Sequence, residues 1–489
     1  MLAVVSMATF MTPFDASIVA VALPAMSDGL HLSYSSALWA QAAYLLVTSA
    51  LLIPAGRSAD SRGPIRYDLG GILVFALGSA LAGLAQNGLI LIVGRCIQGA
   101  GGAFMFATST GIITAVFPRG ERGKAIGINL TTGYVGLMAA PLVGGLLVGH
   151  LSWRWVFFIN LPIAAAILVA GWTLVGAERR DRAAGPGAEG RSPLPFASLD
   201  WPGALLLAAM LTSLFVPLTF SPLWGWGSAR TIGLLVAAAV FLVAFVLRED
   251  RTGEPMLDLD LLRKNRVFAV SCSAAFIYSL GMFAVITLTA VYAEVVQGRS
   301  AEQAGLMLFV QPILMVLISP LAGRLSDRVG SRPLTVSGAL LLAVGMVQLA
   351  LVSGSMARVL FGLATVGAGM AVFSSPNMSA IMGSVPRHQL SLGSGFQATM
   401  RFGGQGFSIA VLGSIAAWKL GPLGARIIFL GETASAASAA DFATGYRAAM
   451  LVGAALAVIA SLLSWFARPP TSCGPRSGSL WPGCVRRRP

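Results

Sequence analysis

The chain alternates long apolar runs with short polar turns. Runs of about 20 apolar residues cross a bilayer core as helices. They fall near residues 2–26, 36–57, 68–86, 89–116, 124–149, 155–176, 201–220, 231–248, 267–292, 303–324, 333–353, 357–384, 391–417 and 445–467. A membrane β-barrel would instead show short segments of alternating polarity. The pattern predicts an all-α membrane protein with about 14 transmembrane helices, its boundaries good to about 3 residues. Beyond Arg468 the sequence turns rich in Pro, Ser, Gly and Arg, which predicts a disordered tail.

Composition narrows the class. Of 489 residues, 56% are apolar and only 11% are charged, against about 25% charged in soluble domains. That excludes an ordinary cytosolic enzyme, a disordered protein and a disulfide scaffold. The net charge of +14 does not point to nucleic acid, because the basic residues sit singly or in small clusters between apolar runs. Cys96 and Cys272 lie in apolar runs, Cys473 and Cys484 in the tail, and no CxxC occurs, so neither a metal site nor a disulfide framework is indicated. The stretch Met1 to Met26 lacks Lys and Arg and carries Asp15, so it reads as a first spanning helix rather than a secretory signal.

Basic residues also set orientation. With the amino terminus inside, inner segments hold about 24 Lys and Arg and outer ones about 7, leaving Arg95 and Arg401 within the membrane. Both termini are therefore expected in the cytoplasm of a multi-pass plasma-membrane protein.

The turn after the second span reads Gly56-Arg57-Ser58-Ala59-Asp60-Ser61-Arg62-Gly63. The turn after the tenth reads Gly323-Arg324-Leu325-Ser326-Asp327-Arg328-Val329-Gly330. Two such copies imply two pseudo-symmetric halves, as in many secondary transporters. Eight spans separate the copies where six-helix halves would give six, so the seventh and eighth spans read as inserted. The expected organisation is an N-terminal six-helix bundle (1–176), a cytoplasmic linker with two inserted central helices (177–266), a C-terminal six-helix bundle (267–467) and a disordered cytoplasmic tail (468–489).

Further motifs stand in order at the matching spans. These are Phe14-Asp15-Ala16-Ser17-Ile18-Val19-Ala20-Val21-Ala22-Leu23-Pro24 in span one, Arg95-Cys96-Ile97-Gln98-Gly99-Ala100-Gly101 in span four and Gly136 to Gly145 around Pro141 in span five. Trp153-Arg154-Trp155-Val156-Phe157-Phe158-Ile159-Asn160-Leu161-Pro162 follows. Together with the loop repeats they resemble the major facilitator superfamily, in particular its fourteen-span drug:proton antiporter branch, over nearly the whole chain. Pro64-Ile65-Arg66 stands where two adjacent basic residues are usual, and Ala140 where a glycine is usual. The resemblance implies the major facilitator fold and proton-coupled export by alternating access, with the proton gradient as energy source.

Asp15 is the carboxylate the pattern places near mid-membrane. Burying its charge costs several kcal/mol, and intramembrane ionisable groups mark ion pathways by default, so proton exchange is its expected role. The plainer reading is a permanent structural pair. Arg95 is its candidate partner; otherwise it braces backbone carbonyls. Gly56, Asp60, Arg62 and Gly63, with Gly323, Asp327, Arg328 and Arg332, form a candidate latch at helix ends, against a merely topogenic cluster. Gly136, Pro141, Gly144 and Gly145 form the antiporter motif, packing closely and leaving the backbone bendable. Trp39, Gln41, Tyr44, Gln98, Asn129, Tyr278, Gln311, Asn377, Gln397 and Arg401 are candidates for the substrate cavity, Arg401 for an anionic partner or as a brace.

His31, His150 and His388 are scattered, and no HExxH, GxSxG or Walker sequence occurs, so an enzyme is not expected. The expected partners are a small-molecule substrate, protons and the lipid bilayer, with no nucleic acid, no ATP, no metal and no cofactor, and a monomer as working unit. The reading is a proton-coupled antiporter exporting small amphipathic drugs, antibiotics or secondary metabolites. Its alternatives are an uptake symporter, a membrane-embedded transferase, and a channel or sensor.

Overall fold

A computed structural model describes residues 1–32, 34–118, 120–184, 200–225, 227–252, 259–299, 301–352, 355–420 and 436–467. The predicted tail, with Cys473 and Cys484, and most of the linker lie outside these residues. The first half comprises α1 (Leu2–Leu30), α2 (Tyr34–Arg62), α3 (Pro64–Gly83), α4 (Gly88–Val116), α5 (Arg122–His150) and the consecutive α6 (Trp155–Phe158) and α7 (Asn160–Ala184). A hairpin of α8 (Trp201–Trp224) and α9 (Ala229–Arg251) follows, then the short α10 (Leu259–Lys264). The second half comprises α11 (Arg266–Met282) with α12 (Ala284–Val291), α13 (Ala301–Leu308) with α14 (Val310–Val329), α15 (Ser331–Ala350), α16 (Met356–Ser384), α17 (Leu390–Ala417) and α18 (Ala436–Phe466).

Each apolar run has become a helix because lipid leaves backbone groups no other partners. Side chains seal several starts: Asn87 accepts from the Ile90 amide, Ser228 from Thr231 and Asn265 from Phe268. Large apolar side chains face outward, with Val169 75% and Trp172 78% exposed, a surface suited to lipid rather than water.

Among the described residues, 12 helices are long and apolar enough to cross a membrane. The sequence pattern predicts fourteen. The difference falls on α8, of which Pro202–Leu218 is the apolar stretch among the described residues, and on α17, where Gln397, Arg401, Gln405 and several glycines dilute the hydropathy.

Within the first half α3 packs on α4, α1 on α5 and α2 on α4; within the second, α15 packs on α16 and α18, and α11 on α17. The halves meet where α2 packs on α17 and α5 on α14. The second crossing of each half thus lies against the fifth crossing of the other. The α8–α9 hairpin joins the seam through α8, which touches both α2 and α17.

The loop repeat is a repeat in geometry as well. Gly63 and Gly330 end the two copies with φ of 114° and 88°, turning the chain sharply from α2 into α3 and from α14 into α15. A side chain is strained there. Gly330→Ala is expected to cost about 1–3 kcal/mol, read as a lowered thermal midpoint of the purified protein. An unchanged midpoint would show that the turn tolerates another backbone path.

Candidate functional site

Three arrangements stand out: a buried charge network in the first half, paired clamps between the halves, and a cavity beside α5 and α17.

Asp15, on α1, is wholly buried. Arg95 Nη1, from α4, donates to its Oδ2 at 2.5 Å, while Gln98 Nε2 and Asn160 Nδ2 donate to Oδ1 at 3.0 and 2.8 Å. Three side-chain donors thus surround one carboxylate. Arg95 also donates from Nε to the Ala40 carbonyl (3.0 Å) and from Nη1 to Gln98 Oε1 (2.8 Å), and its guanidinium lies 4.5 Å from the Tyr44 ring centre. Ser79 Oγ accepts from Gln98 Nε2 and Asn160 Nδ2. Five of the seven helices of this half therefore supply side chains to one network: α1, α2, α3, α4 and α7. The spacing of Arg95 and Gln98 puts both on one face of α4. The pairing of Asp15 with Arg95 is present as expected. Ser79 and Asn160 join it without having been singled out by role, and Gln98 and Tyr44, expected at the cavity, belong here instead.

A second carboxylate, Asp68, is buried in the first turns of α3 and accepts from Thr108 Oγ1 of α4 at 3.0 Å. An acid so near the start of a long apolar helix reads in sequence as a helix-end charge, and its burial is not legible there.

The loop repeats act through their aspartates. Asp60 Oδ1 and Oδ2 accept from the backbone amides of Ser391 and Leu392 at the start of α17, both at 2.8 Å. Asp327 Oδ1 and Oδ2 accept from the amides of Gly123 and Lys124 at the start of α5, at 2.8 and 2.9 Å. Each half thus caps a helix amino terminus of the other, where unpaired N–H groups and the helix dipole favour a negative charge. The glycines let the backbones approach. A Cβ on Gly56 would sit 2.5 Å from the Ser391 carbonyl oxygen, and one on Gly123 would sit 2.5 Å from that of Gly323. Further cross-half bonds lie close by: Ser375 Oγ to the Gly123 carbonyl, Ser319 Oγ to that of Gly127, and Ser394 Oγ to that of Phe106. The bundle is closed at this end. The arginines contribute differently from expectation: Arg328 is exposed, and Arg332 stacks on Trp465 of α18 at 4.0 Å. Arg62 ends α2, and its side chain lies outside the described residues.

In α5, Gly136 and Gly144 lie against α1, where added Cβ atoms would meet the Phe10 carbonyl at 2.6 Å and Ile18 Cγ1 at 2.8 Å. Pro141 sits between them within the helix, and Gly145 faces open space.

A cavity of about 90 Å³ opens between α5 and the second half. Tyr278, Asn377, Gln397 and Arg401 line it, as expected from sequence, together with Tyr134 of α5, Gln405 and several methionines. The remaining cavity candidates lie elsewhere. Asn129 accepts from Ser6 and Thr9 and donates to Ser109. Trp39 packs on Phe220 of α8, with ring centres 5.2 Å apart. Gln311 donates to the Met370 sulfur from behind the cavity wall, and Gln41 is half-buried on α2.

Two pseudo-symmetric bundles, clamped together at one end by equivalent residues and holding a cavity between them, are the architecture of a secondary transporter. The chain belongs to the Major Facilitator Superfamily, whose sequence profile matches residues 5–409. It is 32% identical over 412 residues to the multidrug resistance protein Stp of Mycobacterium tuberculosis, covering 84% of this chain and 74% of that one. It is 33% identical over 425 residues to the tetracenomycin C resistance and export protein of Streptomyces glaucescens, covering 85% and 76%. The human organic anion transporter MFSD10 superposes with a TM-score of 0.65 at 14% identity, covering 95% of this chain and 98% of that one, a likeness of fold alone. The protein is a multi-pass membrane transporter.

Proposed function

We propose that this transporter is a proton-coupled antiporter of the plasma membrane, exporting small amphipathic drugs, antibiotics or secondary metabolites. The names of its multidrug and antibiotic-export relatives favour export, and the asymmetry of basic residues favours cytoplasmic termini. In this reading α8 and α17 also cross the membrane, giving fourteen spans, and the clamped end faces the cytoplasm. The cavity of this conformation then loads and empties on the outer side, and breaking the Asp60 and Asp327 caps admits cargo from within.

The single observation that carries the coupling is the Asp15 network. Here the carboxylate is held by Arg95. Arg95 has other acceptors in the Ala40 carbonyl and Gln98 Oε1, and the face of Tyr44 besides. It therefore stays partnered when Asp15 takes a proton. Movement of α1 against α4 would separate the pair, protonate Asp15 on one side and release the proton on the other. A carboxylate whose charge changes once per half-cycle gives the two conformations different loaded and empty free energies, as exchange requires.

Everted vesicles test the whole reading. Respiration acidifies their interior, and an antiporter should then concentrate ethidium, rhodamine 6G or fluorescein inside, with collapse on adding a protonophore. Loading that survives the protonophore would remove proton coupling, and loading only under the opposite gradient would make the protein an uptake symporter.

A further inference from the structure

Arg401 and Arg95 pose the same physical problem, and the fold solves it for only one of them. Both are intramembrane cations, and a buried charge is tolerated when it is paired. Arg95 has a carboxylate, a carbonyl and an amide oxygen. Arg401 lies eleven residues into α17 and lines the cavity. Among the described residues no carboxylate lies within ion-pair distance of it, and its Nε has no hydrogen-bond acceptor. Its guanidinium instead lies 5.5 and 5.2 Å from the ring centres of Phe106 and Phe402. Cation–π contacts return only part of the cost of desolvating a cation. The missing partner is an anionic oxygen.

Its neighbour asks for a different group. Gln397, one helical turn earlier on the same face of α17, is 6% exposed, and its Oε1 receives no donor. Two aromatic side chains share the lining, the Tyr278 and Phe373 rings stacked on each other 3.9 Å apart at an interplanar angle of 7°. Met370 and Met378 complete it with polarisable, adaptable side chains. The present volume of about 90 Å³ is below the ~300 Å³ at which drug-sized sites begin, so a large cargo enters by displacing methionines or by widening the seam between the halves.

We propose that this cavity selects aromatic anions: flat ring systems with an ionised oxygen, carboxylate or phenolate, for Arg401, and a hydroxyl or amine donor for Gln397. The inference rests on the export reading for its physiological sense and deepens it by fixing the cargo's charge. It carries an energetic corollary. One proton moving in against one anion moving out transfers two charges across the membrane, so the inside-negative potential drives both steps.

Two xanthene dyes of similar shape make the test: fluorescein, anionic with a free carboxylate, and rhodamine 6G, a cationic ester. Fluorescence polarisation with the full-length protein in nanodiscs should show fluorescein binding more tightly than rhodamine 6G. Arg401→Gln should lower the fluorescein-to-rhodamine affinity ratio about tenfold or more, the worth of one charge-assisted contact, and Arg401→Lys should lower it less. Tighter binding of rhodamine 6G by the unaltered protein, a comparison that needs no variant, would overturn the proposal, as would a ratio unmoved by Arg401→Gln. Vesicle uptake separates this inference from the reading beneath it. Gradient-driven loading of rhodamine 6G without fluorescein leaves export standing and removes the anionic cargo. Selective fluorescein binding without any gradient-driven loading keeps the anion site and removes export.

Discussion

Asp15→Asn is expected to abolish gradient-driven loading of whichever dye the unaltered protein concentrates, and to lower its thermal stability. The amide is nearly isosteric, so it keeps the space filled but leaves Arg95 buried without its counter-charge. Removing one member of a buried pair costs about 3–5 kcal/mol. Part of that returns here because Arg95 keeps the Ala40 and Gln98 oxygens. The double variant Asp15→Asn/Arg95→Gln should recover the lost thermal midpoint, since no unpaired charge remains, and still fail to couple. Exchange of internal for external dye at equal pH should persist in both, because it needs no net proton movement. Full gradient-driven accumulation by Asp15→Asn would refute the carrier role. An infrared carboxylic-acid band absent from every trapped conformation would show that Asp15 never takes a proton.

The second large effect is expected from Asp60→Asn combined with Asp327→Asn. Each aspartate accepts two backbone amides at a helix start, a device worth about 0.5–2 kcal/mol apiece. Losing both, about 1–4 kcal/mol together, should shift the balance between clamped and open forms by roughly 5-fold to several hundred-fold. Spin labels at the exposed positions Glu121 and Arg387, one in each half near the clamped end, would report this as a longer distance population. Each single variant should give a smaller shift in the same direction, because the caps act at two separate helices. A distance distribution unchanged in the double variant would reduce the loop repeats to topology signals.

Several parts of this arrangement were legible in the sequence for identifiable reasons. Apolar runs specify helices because lipid admits little else. The loop repeats exposed the pseudo-symmetry because Gly63 and Gly330 meet the same backbone demand, and Asp60 and Asp327 the same unpaired amides. An intramembrane acid and base had to find each other or be lost, which made the Asp15–Arg95 pair readable. The neutral polar residues were not so constrained. Gln98 and Tyr44 joined the charge network rather than the cavity, and Asn129 joined a knot with Ser6, Thr9 and Ser109, because a neutral side chain is satisfied by any local partner. The methionines around the cavity come from separate helices, Met282 from α11, Met315 from α14 and Met370 from α16, so no local pattern announces them. Trp39 met Phe220 of α8 because the α8–α9 hairpin lies on the seam, a placement that no periodicity fixes.

The receiving side of both clamps is backbone. Substitutions at Ser391, Leu392, Gly123 or Lys124 leave the bonded amides in place, unless they introduce proline or too much bulk. The two helices held in this way, α5 and α17, are also those that present Tyr134, Gln397 and Arg401 to the cavity. They resemble levers whose feet are gripped by features a lineage cannot easily edit, while their shafts remain open to revision. Drift along the shafts can therefore change what is carried without dismantling the machinery of closure. A molecule that wedges those shafts apart pulls on the feet directly.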